Sequence, residues 1–157
     1  MKHLYTLALF SVLLFSCNSD DNDPEIACLT EPIFSNLFID VVNAQGENLI
    51  ANQTYIADNI TIDDVTNGYT SSGVVFMGVP GIENLIALGI YGQDGDNTFE
   101  INLSDIETDT LVLNLTRSET GGPCSQFVFT LNSAVYNDEP KDIQDFGGDF
   151  LITVVKE

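Results

Sequence analysis

An all-β fold, an antiparallel β-sandwich of about eight strands, is what this sequence predicts. Three observations carry that reading. Apolar residues recur with period two in most of the chain after residue 32. Turn-forming residues break the pattern every 10 to 20 residues or so. Helical periodicity is almost absent. A closed β-barrel is the alternative, because it solves the same edge problem by closure.

Leu37, Ile39 and Val41 open the series, alternating with Phe38 and Asp40. Ile60 and Ile62 follow, alternating with Thr61 and Asp63. Val74 to Val79 and Leu85 to Tyr91 are apolar on both faces and read as central or doubly covered strands. Phe99, Ile101 and Leu103 share one face, with Glu100 and Asn102 on the other. Leu111, Leu113 and Leu115 repeat this against Asn114 and Thr116. Phe127, Phe129 and Leu131 form the next strand, and Phe150, Ile152 and Val154 the last. Between the runs lie Asn43-Ala44-Gln45-Gly46, Asn67-Gly68, Pro80-Gly81, Gly92 to Asn97, Gly121-Gly122-Pro123 and Gly147-Gly148. These residue types supply the left-handed or fixed φ values that turns require. Tyr136 to Phe146 has a polar middle that suits a short helix or an excursion loop. The architecture expected is immunoglobulin-like or related.

The N-terminus has a different character. Met1, Lys2 and His3 precede an apolar run from Leu4 to Phe15, broken only by Thr6 and Ser11. Spanning a bilayer takes roughly 20 apolar residues, so a run this short reads as an export signal and not an anchor helix. Ser16-Cys17 ends it, and Asn18-Ser19-Asp20-Asp21-Asn22-Asp23 follows. Leu14-Phe15-Ser16-Cys17 resembles the lipobox of bacterial lipoproteins, and the acidic stretch is similar to the surface-export tag of lipoproteins from Bacteroidota-type bacteria. The resemblance covers about the first 23 residues. It implies cleavage before Cys17, lipidation of that thiol, and an outer-membrane, surface-exposed location. Several acyl chains, each methylene contributing about 0.8 kcal/mol, make such an anchor effectively permanent. The chain then divides into a signal (1–16), a lipidated polar tether (17–32, with Pro24 and Pro32) and one domain (33–157).

Charge and cysteine count narrow the function. Once Lys2 leaves with the signal, Arg117, Lys141 and Lys156 face all 24 acids. Phosphate binding needs a basic patch, so nucleic acid is not an expected partner. With Cys17 carrying lipid, Cys28 and Cys124 remain as an even pair in an oxidising compartment, and a disulfide is expected. Closing a loop of roughly a hundred residues contributes at most about 4–5 kcal/mol. The only histidine is His3, in the signal. The mature chain thus lacks an imidazole, which removes Ser-His-Asp and Cys-His catalysis and His-ligated metals. No cofactor is implied.

The remaining candidates each have a plainer reading. Asp94 and Asp96 in Gln93-Asp94-Gly95-Asp96-Asn97 offer hard oxygen ligands for calcium, but the same residues make hairpin loops. Asp63-Asp64 and Asp138-Glu139 are acidic pairs, yet neighbours on a strand face opposite sides. Tyr55, Tyr69, Tyr91 and Tyr136 could stack on sugar rings, or pack at the edge of the core. Asp109-Thr110-Leu111 resembles the O-glycosylation sequon of Bacteroidota-type bacteria, with Thr110 as acceptor. Together these features predict a lipid-anchored, non-catalytic binding or structural envelope domain. Its expected partner beyond the membrane is a glycan or an envelope protein. An accessory subunit of an outer-membrane nutrient-uptake or motility complex is the alternative, and a small carboxylate-dependent hydrolase comes third.

Overall fold

The computed structural model describes residues 35–121 and 124–157. The signal, the tether, Cys17 and Cys28 lie outside them. The described residues form ten strands: β1 (Asn36–Asn43), β2 (Thr61–Asp64), β3 (Tyr69–Ser72), β4 (Ile86–Gly89), β5 (Gly95–Ser104), β6 (Glu107–Glu119), β7 (Phe127–Tyr136), β8 (Glu139–Lys141), β9 (Gln144–Phe146) and β10 (Asp149–Lys156). A single 3-10 turn, Ala57–Asn59, precedes β2. No helix among the described residues is long and apolar enough to cross a membrane.

Two sheets face each other, and neither closes into a barrel. One has four strands in the order β4-β1-β10-β9, the other six in the order β3-β2-β5-β6-β7-β8. Period-two alternation explains the core directly. Leu37, Ile39, Val41, Ile152 and Val154 point inward from the smaller sheet. Ile62, Phe99, Ile101, Leu103, Leu111, Leu113 and Leu115 answer from the larger one. Among the pairs of described strands, the antiparallel pattern has one exception. β1 and β10 run parallel, with Leu37 opposite Phe150 and Val41 opposite Val154. Parallel neighbours need a long crossover, and here the whole intervening chain supplies it.

Several expected elements are corrected. Val74 to Val79 is not a strand. Only Val75 bridges, to Ile86, and Phe76, Met77 and Val79 are exposed. Gly78 at φ 71° breaks the extended conformation inside the run. β4 is an edge and not a central strand, but it is covered: Ala87 N–H donates to the Val74 carbonyl (2.7 Å) and Asn84 N–H to that of Phe76 (3.1 Å). Tyr136 to Phe146 holds no helix. It contains β8 and β9, two three-residue strands that carry the chain from the large sheet to the small one. The hairpin into β8 turns through Asn137 (φ 47°) and Asp138 (φ 66°), residue types that tolerate two successive left-handed conformations.

A bulge between Asn114 and Leu115 adds one residue to β7. It moves the inward phase of β7 from Leu131 to Ala134 and Tyr136. The β6–β7 hairpin overhangs β5, which begins opposite Leu115. Phe127 at its tip is therefore exposed, and the Arg117 guanidinium sits 3.4 Å above its ring.

The register fixes two ends. Asn36, where the chain enters, lies beside Gly89 of β4 and near Asp149 of β10. The Gly92–Asn97 loop, the Asn67-Gly68 turn and the β6–β7 turn carrying Cys124 share that entry end. The far end gathers the close of β10, the β5–β6 turn, the β7–β8 turn, Tyr55 and the Val74–Asn84 segment.

The entry-end loop is pinned by Asn97, a fully buried residue. Its Oδ1 accepts from Gln93 N–H (2.9 Å), and its Nδ2 donates to the Gln93 and Gly95 carbonyls (2.9 and 3.0 Å). Gly92 packs so closely that an added Cβ would stand 2.2 Å from Asn97 Oδ1. Gly92→Ala is expected to destabilise the domain by about 1–3 kcal/mol. Urea unfolding checks this, and a loss under a few tenths would show that the loop does not depend on this contact.

Candidate functional site

The far end holds the principal charged cluster of the described domain. β10 alternates Phe150, Ile152 and Val154 inward, and the same phase turns Lys156 inward. β6 alternates Leu111, Leu113 and Leu115 inward, and the same phase carries Asp109 and Glu107. The two strands belong to opposite sheets, so a lysine meets two carboxylates across the sandwich. Lys156 Nζ donates to Asp109 Oδ2 (2.7 Å) and Oδ1 (2.9 Å), and lies 2.6 Å from Glu107 Oε1.

Three further groups hold the carboxylates. The Tyr136 hydroxyl donates to Asp109 Oδ2 (2.8 Å) and Asn137 Nδ2 to Oδ1 (2.7 Å). The Tyr55 hydroxyl donates to Glu107 Oε2 (2.9 Å). Asp109 is only 4% exposed. Burial by itself would raise its pKa, but hydrogen bonds from Lys156, Asn137 and Tyr136 outweigh that and hold the carboxyl below the usual range. Lys156 is shifted the other way. Burial disfavours its charge, while hydrogen bonds to Asp109 and Glu107 raise its pKa overall. Burial and the adjacent carboxylate push Tyr55 up to about 12, and the same two causes raise Tyr136. An open pocket of about 360 Å³ borders the cluster, lined in part by Glu107, Tyr136, Asn137 and Lys156.

A second feature shares this end. Ile56, Phe76, Met77, Val79 and Ile106 are all large, apolar and exposed, Met77 at 59%. Ile56 and Met77 line one shallow depression of about 310 Å³ with Ile50, Tyr55 and Ala57. Scattered exposed apolar residues are ordinary, but a group at one tip is the form an interaction surface takes.

The residues singled out in the sequence are placed as follows. Asp94 Oδ1 accepts from Arg117 N–H (2.9 Å), and Asp96 Oδ1 from Asn114 Nδ2 (2.6 Å). Each carboxylate thus ties the loop to β6. Among the described residues no group of three or more His, Cys, Asp or Glu could hold a metal ion. Asp63 and Asp64 face opposite sides. Asp63 accepts from Thr70 and Asn102 on the outer face, which lowers its pKa, while Asp64 is buried and accepts from Asn67 N–H (2.8 Å). Asp138 forms the β7–β8 turn, and Glu139 pairs with Lys141 at 2.9 Å. Thr110 is exposed on β6, but Asp109 of the same motif is turned into the core. Tyr69 stacks on Tyr91 at the entry end, with ring centroids 5.9 Å apart and planes at 12°. Cys124 is half-buried in its turn and engaged, not free.

Sequence reasoning did not single out Lys156, Glu107 or Asp109 as a cluster. The signal was present in the phase: each continues the inward alternation of its strand one or two steps past the last apolar residue. No family model, no curated protein and no solved structure matches the chain.

Proposed function

We propose that this chain is an exported bacterial lipoprotein, held in the outer membrane by lipid on Cys17 and displayed at the cell surface, whose sandwich works by binding and not by catalysis. The observation that carries the binding reading is the separation of the two ends. The tether joins the domain at Asn36, and the exposed apolar group of Ile56, Phe76, Met77 and Val79 lies at the opposite end. An anchored protein reaches its partners with the end away from its anchor.

The chemistry of that tip favours an envelope protein over a glycan. A sugar-binding platform needs free aromatic faces. Tyr69 and Tyr91 spend one face on each other, and Tyr55 and Tyr136 are buried with their hydroxyls on carboxylates. Polyanions are disfavoured because all three domain cations are engaged: Lys141 with Glu139, Lys156 with Asp109 and Glu107, and Arg117 over Phe127. Hydrogen bonds hold the carboxyls of Asp63, Asp109 and Glu139 below the usual range, the opposite of what a general acid needs. The apolar tip also supports the second reading, an accessory subunit of an outer-membrane uptake or motility complex. Cys124 lies in a turn at the end where the chain enters the sandwich, and Cys28 stands only seven positions before Ser35, which supports a disulfide between the two.

The anchor and the tip are tested separately. Labelled palmitate should enter the wild-type protein, and Cys17→Ser should lose the label and appear in the soluble fraction. A labelled Cys17→Ser, or one still membrane-bound, removes the anchor. Ile56→Asp with Met77→Asp should keep the label and lose co-purifying outer-membrane protein. Unchanged co-purification removes the tip.

A further inference from the structure

Lys156, Asp109 and Glu107 stand as a nucleophile, an electrophile and a proton carrier already in contact. We propose that Lys156 and Asp109 condense, without any other protein, into a side-chain amide that covalently joins the two sheets.

The arrangement supplies what such a condensation needs. The amine is 2.7 and 2.9 Å from the two oxygens of one carboxyl, so approach requires no rearrangement of either strand. Holding reactants at contact substitutes for a high effective concentration. Glu107 Oε1, 2.6 Å from Nζ, is placed to receive the amine's proton, and the Tyr55 hydroxyl on its other oxygen fixes its orientation. Tyr136 O–H and Asn137 Nδ2–H reach the two oxygens of Asp109, where negative charge develops when the carboxyl carbon becomes tetrahedral. Asp109 and Tyr136 are almost fully buried, and burial works against the charged forms and so narrows the gap between the resting ion pair and the neutral pair that reacts.

The step balances with nothing added. The resting ammonium gives up one proton to the Asp109 carboxyl and becomes a neutral amine. The Nζ lone pair then forms a bond to Cγ of Asp109, and the nitrogen passes a second proton to Glu107. Glu107 returns its proton to one carboxyl oxygen, the Cγ–O bond breaks, and that oxygen leaves as water. No atom changes oxidation state. One ammonium and one carboxylate become one amide and one water. The open pocket beside the cluster gives the water an exit. The product would tie β10 to β6 across 47 residues of sequence.

Mass spectrometry of the purified, reduced protein decides the matter. Cleavage after Glu119 separates Asp109 from Lys156. The wild type should give a linked pair of peptides lighter than their sum by one water. Lys156→Arg, which keeps a cation beside Asp109, should give only unlinked peptides, and Glu107→Gln should give mostly unlinked ones. Wild-type peptides that stay unlinked after days at neutral pH would overturn the proposal and leave an ordinary ion pair. A link that persists in full in Glu107→Gln would overturn the role given to Glu107.

Discussion

Lys156→Met is expected to destabilise the domain by about 3–5 kcal/mol, the range for removing one partner of a buried ion pair. The comparison is best made in a Glu107→Gln background, where the pair stays ionic and Asp109 is the main carboxylate left facing Nζ. Methionine preserves the apolar stem of the side chain, so the loss reports the charge. Asp109 is then left in a nearly closed site with only Tyr136 and Asn137 as donors. Two neutral donors do not replace an ammonium at 2.7 Å.

The same substitution has a pH signature. The folded-state pKa of Asp109 is lowered, so its contribution is fully present above the unfolded value of about 4 and is lost as pH falls through the lower folded value. The folded-state pKa of Lys156 is raised, so its contribution is fully present below about 10.4 and is lost as pH rises through the higher folded value. The stability gap between the lysine and methionine forms should thus be flat from about pH 4 to pH 10 and shrink on both sides. A gap that stays constant down to pH 2 would show that the charge on Asp109 does not matter to folding.

How far the sequence revealed this arrangement depends on the length of each alternating run. β5 and β6 were legible because Phe99, Ile101, Leu103 and Leu111, Leu113, Leu115 repeat one face three times, and three repeats exceed chance. β3 was not, since Tyr69-Thr70-Ser71-Ser72 has no apolar face to repeat. β8 and β9 are three residues each, too short to show any period. Val74 to Val79 misled in the opposite direction. Its composition suits a buried strand, but one left-handed glycine turns it into an exposed loop. The composition was then legible as something else, an apolar tip.

The charged cluster was half legible. Lys156, Glu107 and Asp109 can each be assigned to an inner face from strand phase alone. Their meeting cannot, because it depends on β10 lying parallel to β1 and on the two sheets stacking with those strand ends together. Long-range pairing of the first and last strands leaves no local trace in sequence. The inward charges were themselves the clue, since a charge on a core face requires a partner.

Phe99→Ala is expected to cost about 3–5 kcal/mol and to lower the melting temperature by on the order of 10–20 °C. Phe99 has no exposed surface and, with Tyr136, is one of two aromatic side chains among the largest fully buried ones described. It sits between Asp64 of β2 and Leu111 of β6, so both neighbouring strands are fixed by its own ladder. Its inward face meets aliphatic side chains in rigid strands on both sheets, and these cannot collapse into the space a phenyl ring leaves. The penalty should therefore approach the full cavity cost of about 24 cal/mol per Å³. Phe99→Leu keeps most of the volume and should cost under about 1.5 kcal/mol. The contrast between the two variants is the informative quantity, since both remove the ring and only one empties the space. If alanine and leucine are tolerated equally, the smaller sheet does not cover Phe99, and the two sheets do not share the core described here.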